Sequence, residues 1–286
     1  MSTRSQTTPL PQVQRVDKLY LELLFRCNFR CGHCYHGSDL DRPESLTLPQ
    51  AIGALEYFAT RFSCHQVCFL GGEPLLYAHL PELLAAARDL GFTTQICTNA
   101  YKRRQVLTEC RAHLDLLRVS LDGGTAETHD RMRRPGSFTA AFDTIAWANS
   151  VRLPFGATCT LTAQNITTVP LLARRLHALG AHELVLHRLR TVGNARDTTV
   201  EPVTWAQARR LYDHLAAMDL SGMDINRHIL LPDRCPAPED VVEKLEIAPD
   251  GRVYLSCAEV AGHGRDVRFD FDQGLLVHAP SEPTTA

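Results

Sequence analysis

The chain has 286 residues, 44% of them hydrophobic and 22% charged, with a net charge of -2 and a pI near 6.7. That is long enough to bury a sizeable core, and scattered cations in so neutral a chain leave no electrostatic footprint for nucleic acid. No stretch reaches the roughly twenty apolar residues that cross a bilayer, so no membrane association and a cytoplasmic location are expected, where ten cysteines need a role other than disulfides.

Residues 1–16, rich in Ser, Thr, Gln and Pro, lack an apolar core of signal-peptide length and read as an unordered leader. From Leu19 onward, short apolar runs alternate with longer amphipathic segments. Strands are expected at Leu19–Phe25, Gln66–Leu70, Thr93–Thr98, Leu116–Leu121, Phe155–Leu161 and Glu183–Leu189. Helices are expected between them at Pro49–Arg61, Leu80–Leu90, Arg103–His113, Phe138–Ser150 and Val169–Leu179, where apolar residues recur at three and four. Gly91 and Gly180 stand where two of these helices must end. Such alternation predicts an α/β protein with a parallel sheet, curled into a part-barrel or doubly wound; periodicity does not separate the two.

After Arg196 the rhythm changes. A helix is expected over Pro202–Met218, a strand over Asp224–Leu231, and a hairpin from Leu245–Ala248 and Arg252–Ser256 turning at Asp250-Gly251. The last fifteen residues show no pattern. The division is therefore leader 1–16, barrel-like unit 17–196 and a small α+β extension 197–286.

Directly after the first strand stands Cys27-Asn-Phe-Arg-Cys31-Gly-His-Cys34. Three thiolates on so short a loop suit an iron–sulfur cluster, and three protein ligands on four irons leave one coordination position open for another ligand. A zinc knuckle completed by His33 or His36, or three core cysteines, would also account for the triplet taken alone. Gly71-Gly72-Glu73-Pro74 follows the second strand, where two glycines allow a close backbone approach.

These motifs, in this order, resemble the radical S-adenosylmethionine (SAM) superfamily, and the resemblance runs from about Lys18 to Ala195. It implies a partial (βα)6 TIM-like barrel, a [4Fe-4S] cluster on Cys27, Cys31 and Cys34, and SAM bound at the open iron. It also implies reductive cleavage of SAM to a 5′-deoxyadenosyl radical that abstracts a substrate hydrogen, fed by a flavodoxin- or ferredoxin-type electron donor. Residue by residue, it assigns cofactor contacts to Gly71, Gly72 and Glu73, to Asn99 in Thr98-Asn99-Ala100, and to Ser120 and Asp122 in Ser120-Leu121-Asp122-Gly123. Arg133, or its neighbour Arg131, would meet the SAM carboxylate, and His33 would lie by the adenine. Thr160–Asn165 and Arg188–Ala195 are similar to the fifth and sixth strand-end segments.

Of the other seven cysteines, Cys64, Cys68, Cys97, Cys110 and Cys159 read as small core hydrophobes. Cys235 and Cys257 resemble the start of the auxiliary-cluster extension called SPASM or twitch, with no cysteine after Cys257 to complete it. A single second cluster, a hydrogen-atom donor at Cys257, and a buried hairpin cysteine all remain open there. The donor reading makes the chain similar to aminoglycoside epimerases acting on a natural-product substrate; a peptide maturase, a dehydrogenase with one auxiliary cluster, and a non-catalytic iron–sulfur or zinc protein are the alternatives.

Overall fold

The computed structural model describes residues 10, 13–226, 241–255 and 267–278. Six strands, β1 (Arg15–Glu22), β2 (Gln66–Leu70), β3 (Thr93–Thr98), β4 (Leu116–Ser120), β5 (Phe155–Leu161) and β6 (Glu183–Arg188), pair in parallel in sequential order. The helices between them are α1 (Leu48–Phe62), α2 (Leu80–Asp89), α3 (Arg104–Cys110), α4 (Ala126–Met132), α5 (Ser137–Ser150) and α6 (Val169–Ala178). A doubly wound sheet reverses its strand order at a switch point; this one never does. With right-handed crossovers every helix then falls on one face and the sheet curls into a part-barrel.

Local signals start and stop the elements as expected. Thr47 opens α1 with a reciprocal capping box to Gln50, and Gly91 and Gly180 take φ of +84° and +80° past α2 and α6. One expectation fails and one helix was not expected, each for an identifiable reason. The apolar run to Phe25 overshoots β1 because Leu23, Leu24 and Phe25 are fully buried without being strand. The short helix α4 has too few turns to show a period.

Part of the expected 1–16 leader is ordered: Leu10 and Val13 are buried in the core, and Arg15 and Val16 already belong to β1. Nor does the region after 197 stand apart. Following α7 (Trp205–Ala216), strand β7 (Asp224–Ile225) adds to the β6 edge, and β8 (Val241–Ile247) runs parallel to β1 on the opposite edge. β9 (Val253–Tyr254) returns antiparallel to β8 through Gly251, whose φ is +85°. In a final hairpin β10 (Val267–Asp270) pairs with β11 (Leu275–His278), which lies within the last fifteen residues expected to be patternless. Its buried Phe269 sets its ring 5.5 Å from that of Tyr57 and 6.0 Å from that of Phe58 on α1, which anchors the hairpin by aromatic packing.

Strand alternation sends Leu19, Leu21, Val67, Phe69, Ile96, Leu117, Val119, Ala157 and Leu184 outward to the helices, all fully buried. The opposite, concave face is polar. Lys18 on β1 reaches Gln95 on β3 at 3.1 Å, and Arg118 on β4 pairs with Glu183 on β6 at 2.6 Å. Both contacts skip the strand between, as a curled sheet permits. Gly156 on β5 makes the second possible, since a Cβ there would lie 2.4 Å from the Glu183 side chain.

Candidate active site at the C-terminal ends of the strands

The cysteine loop leaves β1 and is held from three sides. Beneath it, Gly72 N–H donates to Leu24 O at 2.8 Å and Glu73 N–H to Arg26 O at 3.0 Å. A Cβ on Gly72 would stand 2.2 Å from the carbonyl oxygens of Phe25 and Arg26. The glycine pair thus makes room for the backbone of the cysteine loop. Gly71, at φ +131°, adds a backbone conformation that side chains disfavour.

Glu73 is 1% exposed and its carboxylate bridges two loops. It accepts from Leu75 N–H at 3.0 Å, from the Thr98 hydroxyl at 2.5 Å and from Asn99 N–H at 2.8 Å. Its place is that of a staple between the β2 and β3 ends, with burial pushing its carboxyl up and these donors pulling it down. Asn99 in turn donates to Asn28 Oδ1 at 2.7 Å and lies 3.9 Å from Cys27 Sγ. On the far side, Asn194 donates its side-chain amide to Cys31 O and its backbone N–H to Cys34 O, both at 2.9 Å, and Thr198 donates to Gly32 O at 2.9 Å.

The third side is charged. Asp122, fully buried just past β4, pairs with Arg133 Nε, faces His33 Nε2 at 3.2 Å and accepts from Thr160 N–H at 2.8 Å. Burial alone would raise its carboxyl, but the Arg133 guanidinium foremost, with His33 and His129, holds it down at about 2. Asn165, also fully buried, donates to Asp122 O at 3.1 Å and Thr160 O at 2.7 Å. Arg131, the alternative to Arg133, points instead to solvent and pairs with Glu127 at 2.7 Å. Ser120 sits at the end of β4 and shares a side-chain hydrogen bond with Cys97.

Every described cysteine is a free thiol. Cys64, Cys68, Cys110 and Cys159 are buried, whereas Cys97 is half-buried on the concave face beside Ser120. Cys235 and Cys257, with their alternative roles, lie outside the described residues.

Cys27, Cys31 and Cys34 fit an iron–sulfur cluster. Phe29 N–H donates to Cys27 Sγ at 3.3 Å, and backbone donors of His36 and Gly37 serve Cys34. Burial pushes the Cys27 and Cys31 thiols up to about 12, so bound metal would have to draw off their protons. A zinc knuckle would need His33 or His36 as its fourth ligand, and the structure sets His33 Nε2 against Asp122 at 3.2 Å and His36 Nε2 3.6 Å from Glu22. Among the described residues no three His, Cys, Asp or Glu side chains converge on one ion, as a zinc site needs and thiolates on separate irons do not.

Of the residues sequence reasoning missed, Asn28 adjoins Cys27 and is polar, a weak signal. Gly193 and Asn194 fall inside the sixth strand-end segment but carry no chemistry by type. Only folding brings them beneath Cys31 and Cys34.

Comparison with known proteins gives the family. Residues 21–176, over half of the chain, match the model of the Radical SAM superfamily. The chain is 31% identical over 209 residues to the Pre-heme d1 synthase of Dinoroseobacter shibae, covering 72% of this chain and 51% of that one. It is 29% identical over 201 residues to the Mycofactocin maturase MftC of Mycolicibacterium smegmatis, covering 68% and 50%. It thus spans about half the length of these curated relatives. In fold it is similar to Streptococcus suis SuiB bound to S-adenosylmethionine, with a TM-score of 0.73 at 16% identity over 87% of this chain and 62% of that one. No helix among the described residues is long and apolar enough to cross a membrane.

Proposed function

Since the chain belongs to the radical SAM superfamily, we propose that it abstracts a hydrogen atom from a polar substrate held on the concave face of its part-barrel. When bound, the cluster and SAM would supply reductive one-electron chemistry and the hydrogen-abstracting radical, while position and electrostatics come from the chain. Cys27, Cys31 and Cys34 would hold the cluster, and the Gly71–Glu73 turn and Asn99 fix the loop that carries them. Ser120 and the Asp122–Arg133 pair stand at the β4 end as the SAM-side contacts, with His33 beside them.

The observation that carries the substrate reading is the concave face itself. Lys18, Gln95, Arg118, Ser120, Glu183 and Glu246 line it, a surface for a hydrogen-bonding substrate. Within that class we favour epimerisation of a small natural product such as an aminoglycoside-type sugar, with Cys257 returning a hydrogen atom to the opposite face of the carbon. Cys257 follows β9 by three residues, and β9 pairs with the strand that carries Glu246. Peptide modification is the second reading, favoured by the similarity to the mycofactocin maturase. A flavodoxin- or ferredoxin-type protein would deliver the electron.

Anaerobic reconstitution tests the reading. About four irons and four sulfides per chain, with 5′-deoxyadenosine formed from SAM under reduction, are expected. Zinc in place of iron would overturn it. For the epimerase reading, turnover in deuterated water should place deuterium at one substrate carbon, and a Cys257→Ala variant should not release inverted product. Retained inversion in that variant, or about eight irons per chain, would count against the donor role of Cys257.

A further inference from the structure

Next to the cysteine loop, on the side away from Asp122, lies an acidic group that the reading above does not use. Glu22 is the last residue of β1 and Glu246 the last but one of β8, the strand beside it. Both project onto the concave face. The Tyr35 hydroxyl lies 2.8 Å from Glu22 Oε1 and 3.1 Å from Glu246 Oε1. A phenol has one proton to donate, so it satisfies one carboxylate; the other contact needs a proton on Glu246 or a cation between the groups. Burial first, and then the neighbouring carboxylate, pushes Glu246 well up.

Two further atoms are unsatisfied. Glu22, 1% exposed, has Oε2 buried without a partner. His36, whose side chain is 5% exposed, has Nε2 buried without a hydrogen bond and 3.6 Å from Glu22 Oε1. Buried polar atoms are normally paired; Glu22 and Glu246 share a side-chain hydrogen bond, but Glu22 Oε2 and His36 Nε2 beside it are left without a partner, as a missing ligand would leave them. The other charged and titratable groups around the pair are Arg252, Asp250 and Tyr254. Arg252 is bonded to Asp39 at 2.5 Å and to Asp250 at 2.9 Å rather than to either glutamate.

Resting on the concave face as the substrate chamber, we propose that Glu22, Glu246 and Tyr35 bind a protonated amino group of the substrate, which makes the substrate a cationic amine. An ammonium has three N–H donors, and two carboxylates and a phenol oxygen supply three acceptors. A metal ion fits less well, because among the described residues no trio of ligating side chains converges on one point. Tyr35 is 36% exposed, which brings this group to the protein surface. The ammonium displaces the proton that Glu246 otherwise retains, and that proton leaves to solvent.

The test uses the cluster- and SAM-loaded enzyme with putrescine as the cationic probe and butanediol as its uncharged counterpart. Calorimetry should show putrescine binding at least about tenfold more tightly than butanediol, and Glu246→Gln should remove about tenfold of that affinity. Titration in phosphate and in Tris at pH 7 should show about one proton released per bound amine in the wild type. Putrescine binding no tighter than butanediol, or unchanged in Glu246→Gln, overturns the site. Should Glu246→Gln lose its iron, the buffer comparison on the wild type decides, and no proton release overturns the site. Iron, sulfide and SAM binding on the same samples separate the two readings. A fully loaded enzyme indifferent to putrescine sinks the amine site alone, and a chain that holds no iron sinks the function beneath it.

Discussion

Asn194, in the turn after β6, donates its side-chain amide to the carbonyl of Cys31 at 2.9 Å. Five strands away from β1, it closes over the loop that β1 launches, and its neighbour Gly193 lets it come so near. A Cβ on Gly193 would sit 2.4 Å from both Cys34 O and Tyr35 O, and the residue takes φ +56°. Backbone on both sides leaves no flexible atom to yield.

Gly193→Ala should therefore open the loop and reduce reconstituted iron to less than about half of the wild-type content, since metal binding and loop closure are coupled. Gly53→Ala in α1 is the control. Nothing lies within 4 Å of its added Cβ, so iron should stay complete while stability rises by about 0.5–1 kcal/mol. Full iron in Gly193→Ala would refute the clamp.

Asp122→Asn leaves the Arg133 guanidinium buried without its counter-charge. Removing one partner of a buried pair costs about 3–5 kcal/mol, which urea unfolding would register. SAM affinity, measured by equilibrium dialysis, should fall at least about tenfold, because Arg133 loses the contact that orients it. A variant as stable as wild type would show that the pair bears no strain of burial.

Glu73→Gln replaces one carboxylate oxygen with an amide that donates. It then faces Leu75 N–H and the Thr98 hydroxyl, or Asn99 N–H, with the wrong polarity. About 1.5–3 kcal/mol should be lost, with a parallel loss of cluster, while Glu82→Gln on exposed α2 should change neither. Equal iron in the two variants would argue against the staple.

His129 supplies a pH dependence. Its Nδ1 accepts from Asp122 N–H at 3.1 Å, and burial first, then Arg133, lowers its ring to about 4 from the ordinary 6.5. The unfolded chain thus binds a proton before the native one does, and stability must fall as pH drops from about 6.5 toward 4. The shift corresponds to about 3 kcal/mol as an order of magnitude. Urea unfolding between pH 5 and 7 should show this slope, and His129→Gln should flatten it. An unchanged slope in the variant would place the titration elsewhere.

Much of the fold was legible because its signals are local. The periods of β2, β3 and β5 gave their bounds without error, and Thr47 and Gly91 marked helix ends through backbone needs that no distant residue alters. Three errors came from non-local effects. Leu23–Phe25 is apolar because it lies buried beside the turn after β2. Leu10 and Val13 look like leader but are covered by the core. Leu275–His278 is too short to show a period and is strand only because it pairs with Val267–Asp270.

By itself the sequence determined the superfamily: Cys27, Cys31 and Cys34 stand at its spacing, followed in order by the glycine turn and Asp122, since residue type and strand-end position are written in consecutive residues. Tertiary structure decided what each of these groups touches. It set Gly72 against the backbone of the cysteine loop and made Glu73 a staple between two strand ends. It buried Arg133 with Asp122 and left Arg131 in water beside Glu127. It also joined Glu22 to Glu246 across 224 positions of chain, a meeting made only by the parallel pairing of β8 with β1. Contacts of that range depend on strand order, which no local pattern encodes.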